Sequence, residues 1–479
     1  MAVLDHLEPK GVFHFFEELC SMPHGSGNTK QVSDWLVTFA KERGLEYYQD
    51  DWNNVIIIQE ATPGYENAEP VILQGHMDMV CEKAADCAKD MEREGLDLAV
   101  EGDTVLAKGT TLGGDDGIAV AMMLAILDDK TLAHPRLECV FTVDEEVGME
   151  GTMYLDVSML KGRRLLNLDS EDEGIFTVSC AGGNMTTCTI PIKREPYPLK
   201  GGTYMTIRVE GLLGGHSGAE IHKGRANASV LLGRVLFNVA SNLRLVSADG
   251  GLKDNAIPVS ATAVICTKNT DHVRTTCAIL EEAFRNEYAV TDPGIRLTVT
   301  EEGEGVPMDW DSTFKVITLL VCCPNGVQAM SPDIPGLVQT SLNLGILATA
   351  DDHVTASFCV RSSIESQKEM LVEKLSCLMT RIGAELTVSG DYPGWQYRHD
   401  SPLRDLLVDV FRRQYGHEPR IEAIHAGLEC GLFSGKIPGL DCVSIGPDLD
   451  EIHTFRERLH IGSTQRLWAM VVETLKCMK

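Results

Sequence analysis

Apolar and polar positions in the first third of the chain alternate between two kinds of pattern. Residues 12–20 and 31–41 repeat their apolar positions every three to four residues, which predicts helices. Residues 55–58, 71–73, 139–143 and 165–168 are short, β-branched apolar runs, which predict strands buried on both faces as in a parallel sheet. Between them, 117–127 is apolar on every side and predicts a buried helix that begins directly after an acidic loop. Near 180–183 the pattern changes. Strands predicted at 204–209, 261–267 and 295–299 interleave with helices at 226–242 and 273–284. A similar order then recurs, with a helix at 314–321, strands at 340–347 and 354–360, a helix at 368–382 and a strand at 385–388. From 391 the first pattern returns, with a helix over 403–415, a strand over 441–445 and a helix over 465–475 capped by Ser463 or Thr464. The expected fold class is α/β: a domain with a mostly parallel central sheet and flanking helices, split into 1–184 and 391–479. An inserted α+β domain, 185–390, separates the halves, and its repeated order points to internal duplication.

Composition narrows the classes of function. The 479 residues exceed what one core holds. A formal charge of −28 gives no attraction to nucleic acid or to an anionic membrane, so neither is an expected partner. The longest purely apolar run, 118–127, is too short to span a bilayer. The opening MAVLDHLEPK has no basic start or apolar stretch of a signal peptide. The 15 cysteines lack metal-ribbon spacing, and only Cys322 and Cys323 are close, so reduced thiols in a cytoplasmic protein are expected.

The chemistry collects after the predicted strands. QGHMDMV places His76 and Asp78 two apart at a strand end, on one face, where a carboxylate can orient an imidazole ligand. TTLGGDDGIA presents Asp115 and Asp116 from a glycine loop at a helix start; either can cap the helix, and a carboxylate so presented can bridge two metal ions. TVDEEVGMEG gives Asp144, Glu145 and Glu146, where one acid can bind metal and its neighbour move a proton. Asp169 in LLNLDSEDEG closes a further strand, and His453 lies in DEIHTFRERLHIG. Each segment alone is as readily a charged turn or a helix cap. Together, His76, Asp115, Glu146, Asp169 and His453 form an imidazole–carboxylate set at successive strand ends, suited to zinc, cobalt or manganese and numerous enough for two ions.

These motifs, with SMPHGSG, CAGG, GLLGGHSGAEIH, NAIP, PNGV, TSLN, VRSSI, YPGWQ, HAGLECGLF and VSIGP, resemble the aminoacyl-histidine dipeptidases within the clan of dinuclear zinc aminopeptidases, aminoacylases and carboxypeptidases. The resemblance implies a split catalytic domain and a lid. It implies that His76 and Asp169 hold one ion, Glu146 and His453 the other, and Asp115 both. The ions would be zinc, with cobalt or manganese as alternatives. Asp78 would orient His76, and Glu145 would serve as general base toward a bridging hydroxide. His216 would stabilise the oxyanion, Asn255 and Arg361 would hold the substrate's carboxylate, and His425, Gly427 and Glu429 would line the pocket. The implied activity is hydrolysis of unblocked dipeptides, Xaa-His foremost, by a cytoplasmic monomer or homodimer. An N-acyl amino-acid deacylase, a Cys-Gly dipeptidase and a non-catalytic binding homologue are the alternatives. One departure stands out: after His453 the family usually shows Ser or Thr, Pro and an acid, whereas Phe455 and Arg456 occupy those last two places. Glu451 and Glu457 are candidate partners for Arg456, and His460 is the alternative imidazole.

Overall fold

The computed structural model describes residues 3–196, 201–241 and 243–479. The chain divides into two compact units. The first comprises Met1–Ser179, Tyr397–Ala423 and Leu428–Lys479, and the second Cys180–Gln396 and Ile424–Gly427. His425 and Gly427 therefore belong with the inserted unit, although everything after 390 was expected in the other. The physical reason is local: the Ala181 N–H donates to the carbonyls of Ile424 and Ala426, at 3.2 and 3.0 Å, which ties this segment to the start of the insertion.

The first unit is built on an eight-stranded sheet in the order Glu46–Gln49, Val55–Gln59, Leu137–Thr142, Val71–His76, Arg164–Asn167, Asp441–Ser444, Ile175–Cys180 and Arg420–Ile424. The four central strands, 137–142, 71–76, 164–167 and 441–444, are mutually parallel. Val55–Gln59 was expected to be parallel too, but it runs antiparallel to Leu137–Thr142. Burial on both faces produces the same continuous apolar run in either direction, so the run does not encode direction. The helix Gly114–Asp128 is buried along almost its whole length. Because the central strands point one way, the residues that follow them emerge at one sheet edge, where ligands of open α/β sheets bind.

A small sheet escaped the sequence pattern because its strands are two to four residues long. Its order is Leu449–Asp450, Arg458–His460, Thr104–Ala107 and Leu98–Glu101. It holds the loop carrying His453 against the segment that leads into the glycine loop at 113–114. The last helix, Ile461–Cys477, starts earlier than expected, with His460 as its N-cap residue. Ser463 instead accepts the Asp448 N–H, and Thr464 donates to the His460 carbonyl.

In the second unit, two strand–helix–strand–strand–helix–strand halves lie side by side in one nine-stranded sheet. One half is Thr203–Glu210, Ala228–Asn238, Leu243–Gly250, Ala261–Thr267, Thr270–Glu287 and Arg296–Thr300. The other is Gly182–Pro191, Trp310–Cys322, Val338–Thr349, His353–Ser362, Glu365–Ile382 and Glu385–Tyr392. From the middle of the sheet outward, each half runs second, third, first, fourth strand, so the duplication is topological. The halves join where Gly250 pairs with Leu347. Of the helix expected over 226–242, Ala228–Asn238 is helical, and Asn242 lies outside the described residues. Among the described residues, no helix is long and apolar enough to cross a membrane.

Candidate active site

The carboxyl edge of the first unit's sheet gathers its acids around two imidazoles. His76 ends its strand almost fully buried, at 1% exposure. Its Nδ1 lies 2.9 Å from the Asp78 carbonyl oxygen and 3.4 Å from the Asp78 carboxylate. Donation of Nδ1–H to that carbonyl leaves Nε2 bare for a cation. His76 Nε2 is 3.2 Å from Asp115 Oδ1 and 3.6 Å from Asp169 Oδ1. The other Asp115 oxygen, Oδ2, is 3.2 Å from His453 Nε2, which lies 3.0 Å from Glu146 Oε2. Asp115 thus offers one oxygen to each of two nitrogen–carboxylate pairs.

The neighbouring acids do different work. Asp78 accepts from Ser26 Oγ at 2.8 Å and from the Glu145 N–H at 3.2 Å, linking the strand end of His76 to that of Glu145. Asp144 accepts the Gly27 N–H at 2.6 Å and anchors a loop. Asp116 is buried and accepts the His76 N–H at 3.2 Å, so neither aspartate caps the helix by its side chain. Glu429 is fully enclosed. It accepts from Gln74 Nε2 at 2.5 Å, from Thr142 Oγ1 at 2.8 Å and from Thr152 Oγ1, while Gln74 Oε1 accepts from Asn167. A carboxylate with no exposed surface and both oxygens engaged braces the strands beneath His76 and Asp169, and is not built to line a pocket.

Sequence inspection missed the role of Glu457. Its carboxylate accepts the backbone N–H groups of Leu112 at 2.8 Å, Gly113 at 3.0 Å, Gly114 at 2.8 Å and Asp115 at 3.3 Å. It therefore shapes the loop that presents Asp115 from 342 residues away, and nothing in the local pattern signals it. The Arg456 charge is met by Glu451, Nε to Oε2, 2.5 Å. His460 pairs with Asp450 at 2.8 Å, so the alternative imidazole is engaged elsewhere. His453 itself is exposed and takes a left-handed backbone, φ 59°, a conformation uncommon outside glycine.

Acids outnumber bases at this edge, and proton uptake settles the balance. Burial pushes Glu145 and Asp116 well above the carboxylate range, and Asp169 to about 7. Asp115 is held well below that range, because hydrogen bonds from His453 and His76 outweigh its burial. Hydrogen bonds to Asp115 and Glu146 raise His453 to about 10. His76 rises against its own burial through Asp169 and Asp115. Among the described residues, no lysine or arginine pairs with any of these acids, and buried Glu146 Oε1 has no partner. His76 with Asp115 and Glu146, and His76 with Asp116 and Asp169, are close enough to hold an ion. Hard oxygen donors, two imidazoles, an orphaned carboxylate oxygen and a surplus of acids over bases fit a pair of divalent cations.

The second unit has its own polar cluster. His216 Nδ1 accepts the N–H groups of Gly218 and Ala219 at 3.2 and 3.0 Å, which places the ring proton on Nε2. Burial and Arg361 lower its pKa, so it is a neutral donor. Arg361 is 8% exposed, and its Nη1 donates to the Tyr392 hydroxyl at 3.1 Å. Its Nε has no partner, and no acid pairs with it among the described residues. His425 is buried 2.7 Å from Ser341 Oγ; burial, then Arg361, lowers it to about 3. Gly427 is half-buried at the end of that segment. Asn255 is exposed; with His216, Leu252 and Val259 it lines a cavity of about 580 Å³.

Residues 72–476 match the model of Peptidase family M20/M25/M40. The chain belongs to this peptidase family. The M20 chain is 38% identical over 483 residues to the cytosol non-specific dipeptidase of Escherichia coli (strain K12), covering 99% of each. It superimposes on the crystal structure of aminoacylhistidine dipeptidase from Vibrio alginolyticus with a TM-score of 0.94 and 37% identity, covering 99% of this chain and 98% of that one. The aminopeptidase PepT from Bacillus cereus, at TM-score 0.57 and 15% identity over 98% of this chain and 99% of its own, shares the fold.

Proposed function

We propose that this M20 hydrolase is a cytoplasmic metallodipeptidase that cleaves unblocked dipeptides, preferentially Xaa-His. The observation that carries the reading is Asp115, with one oxygen toward His76 and Asp169 and the other toward His453 and Glu146. His76, Asp115 and Asp169 would hold one divalent ion, and Asp115, Glu146 and His453 a second. Zinc suits these donors, and cobalt or manganese can replace it. When bound, such ions acidify water and polarise a carbonyl. Glu145, half-buried and with its backbone fixed by Asp78, takes the proton of the attacking water and passes it to the leaving amine. Asp78 holds the His76 ring, and Glu429 braces the strands beneath it. His216 offers a neutral Nε2–H to the developing oxyanion. Arg361, a buried guanidinium without an acid, takes the substrate's terminal carboxylate, with Asn255, His425 and Gly427 around it.

The test is metal content together with a substrate panel on the purified protein. Two ions per chain, and faster turnover of β-alanyl-histidine and other dipeptides than of an N-acetyl amino acid, support the assignment. Faster turnover of the N-acetyl amino acid makes the protein a deacylase on the same scaffold.

A further inference from the structure

CAGG and YPGWQ have no role in the chemistry above, yet the structure pairs them. In the strand Glu385–Tyr392, Tyr392 stands opposite Gly183 of Gly182–Pro191. A Cβ on Gly183 would lie 2.8 Å from the Tyr392 hydroxyl and 2.9 Å from the Val360 carbonyl, so the phenol fits because residue 183 has no side chain. The strand end is also pinned. Lys368, 2% exposed, donates from Nζ to the Tyr392 carbonyl at 2.9 Å and pairs with Asp391 and Glu365, each at 2.9 Å.

At its other end Tyr392 accepts a hydrogen bond from Arg361 Nη1 at 3.1 Å. The hydroxyl oxygen is the acceptor there, so its own proton points elsewhere, and no acceptor for it is found among the described residues. Burial pushes the phenol's pKa up, so it keeps its proton at neutral pH. Donation from a cation into a hydroxyl oxygen polarises the O–H and strengthens it as a donor. Arg361 itself is buried without an acid, and a buried cation without an anion is costly unless a ligand supplies one.

We propose that the Tyr392 hydroxyl is a second donor to the substrate's terminal carboxylate beside the Arg361 guanidinium, and a determinant of the preference for substrates with a free carboxyl end. This rests on the reading of Arg361 as the carboxylate anchor. Tyr392→Phe is expected to raise KM for a dipeptide about tenfold, the loss of one hydrogen bond to a charged group. The kcat should stay within about twofold, and KM for the corresponding dipeptide amide should be nearly unchanged. Replacing Tyr392 with 3-fluorotyrosine separates donation from simple support of Arg361, because fluorine makes the phenol a stronger donor and a weaker acceptor. An unchanged or lower KM for the dipeptide supports the proposal, and a raised KM overturns it. Equal effects of Tyr392→Phe on dipeptide and amide also overturn it. Arg361→Ala, measured in parallel, separates the two readings. If it affects dipeptide and amide alike, the carboxylate anchor itself is wrong. If it discriminates between them and Tyr392→Phe does not, only the role of Tyr392 falls.

Discussion

The two units collect ionisable groups of opposite kind: a surplus of acids in the first and a guanidinium without an acid in the second. In the first, Asp115, Asp116, Glu145, Glu146 and Asp169 crowd around two imidazoles, with no lysine or arginine paired to them among the described residues. In the second, Arg361 is buried without an acid, and its charge helps keep His216 and His425 neutral. Buried charge is costly unless a proton, a partner or a ligand offsets it. On the proposed reading, divalent cations answer the acids of the first unit and a substrate carboxylate answers the guanidinium of the second.

Removing the cations should have the largest effect. Dialysis against a chelator is expected to abolish turnover and lower the melting temperature, since ions that bind only the folded state stabilise it by mass action. Zinc, cobalt or manganese should restore both, and turnover that persists in protein shown to be metal-free would break the comparison on its acidic side. Next, Glu145→Ala should lower kcat by roughly a thousandfold or more while two ions per chain remain bound; full activity would remove Glu145 as the base. On the cationic side, Arg361→Ala should raise KM for dipeptides by about a hundredfold with metal content unchanged. A loss of metal in this variant would show that the two charge centres are not separate in function.

Two smaller effects sharpen the contrast. Glu457→Ala frees the N–H groups of residues 112–115 and should weaken metal binding by about ten- to a hundredfold, as loss of a positioning contact does. Titration of the metal-free variant with zinc reads this directly, and wild-type affinity would reduce Glu457 to a loop brace without influence on Asp115. His425 gives the smallest effect. Its pKa is lowered to about 3, so between about 6.5 and 3 the unfolded chain binds a proton that the folded one does not. This group therefore removes stability as pH falls below about 6.5, at most about 1.4 kcal/mol per pH unit. His425→Gln should flatten the acid-side fall of the melting temperature relative to wild type, and parallel curves would show that His425 is not held neutral.

Much of the acidic centre was legible because its signals are local. A buried strand announces itself as an apolar run, and His76, Asp144–Glu146 and Asp169 follow such runs within a few residues. Helix periods and strand runs likewise carried the α/β class and the doubled order of the insertion. Other features have no local signal. The direction of Val55–Gln59 was misjudged because burial on both faces erases the difference between parallel and antiparallel. Glu429 was grouped with His425 because they share HAGLECG, yet four residues of chain take the first into the sheet interior of one unit and leave the second beside Ser341 in the other.

The amino-acid sequence by itself determined which side chains stand at strand ends and in glycine loops, since apolar period and turn chemistry act over ten residues or fewer. Only the tertiary structure decided their partners: His453 and Glu457 to the loop at 112–115, Tyr392 across Gly183 to Arg361, Glu451 to Arg456. Strands of two to four residues and hydrogen bonds across hundreds of residues leave no periodic trace, because each depends on where the rest of the chain has already packed.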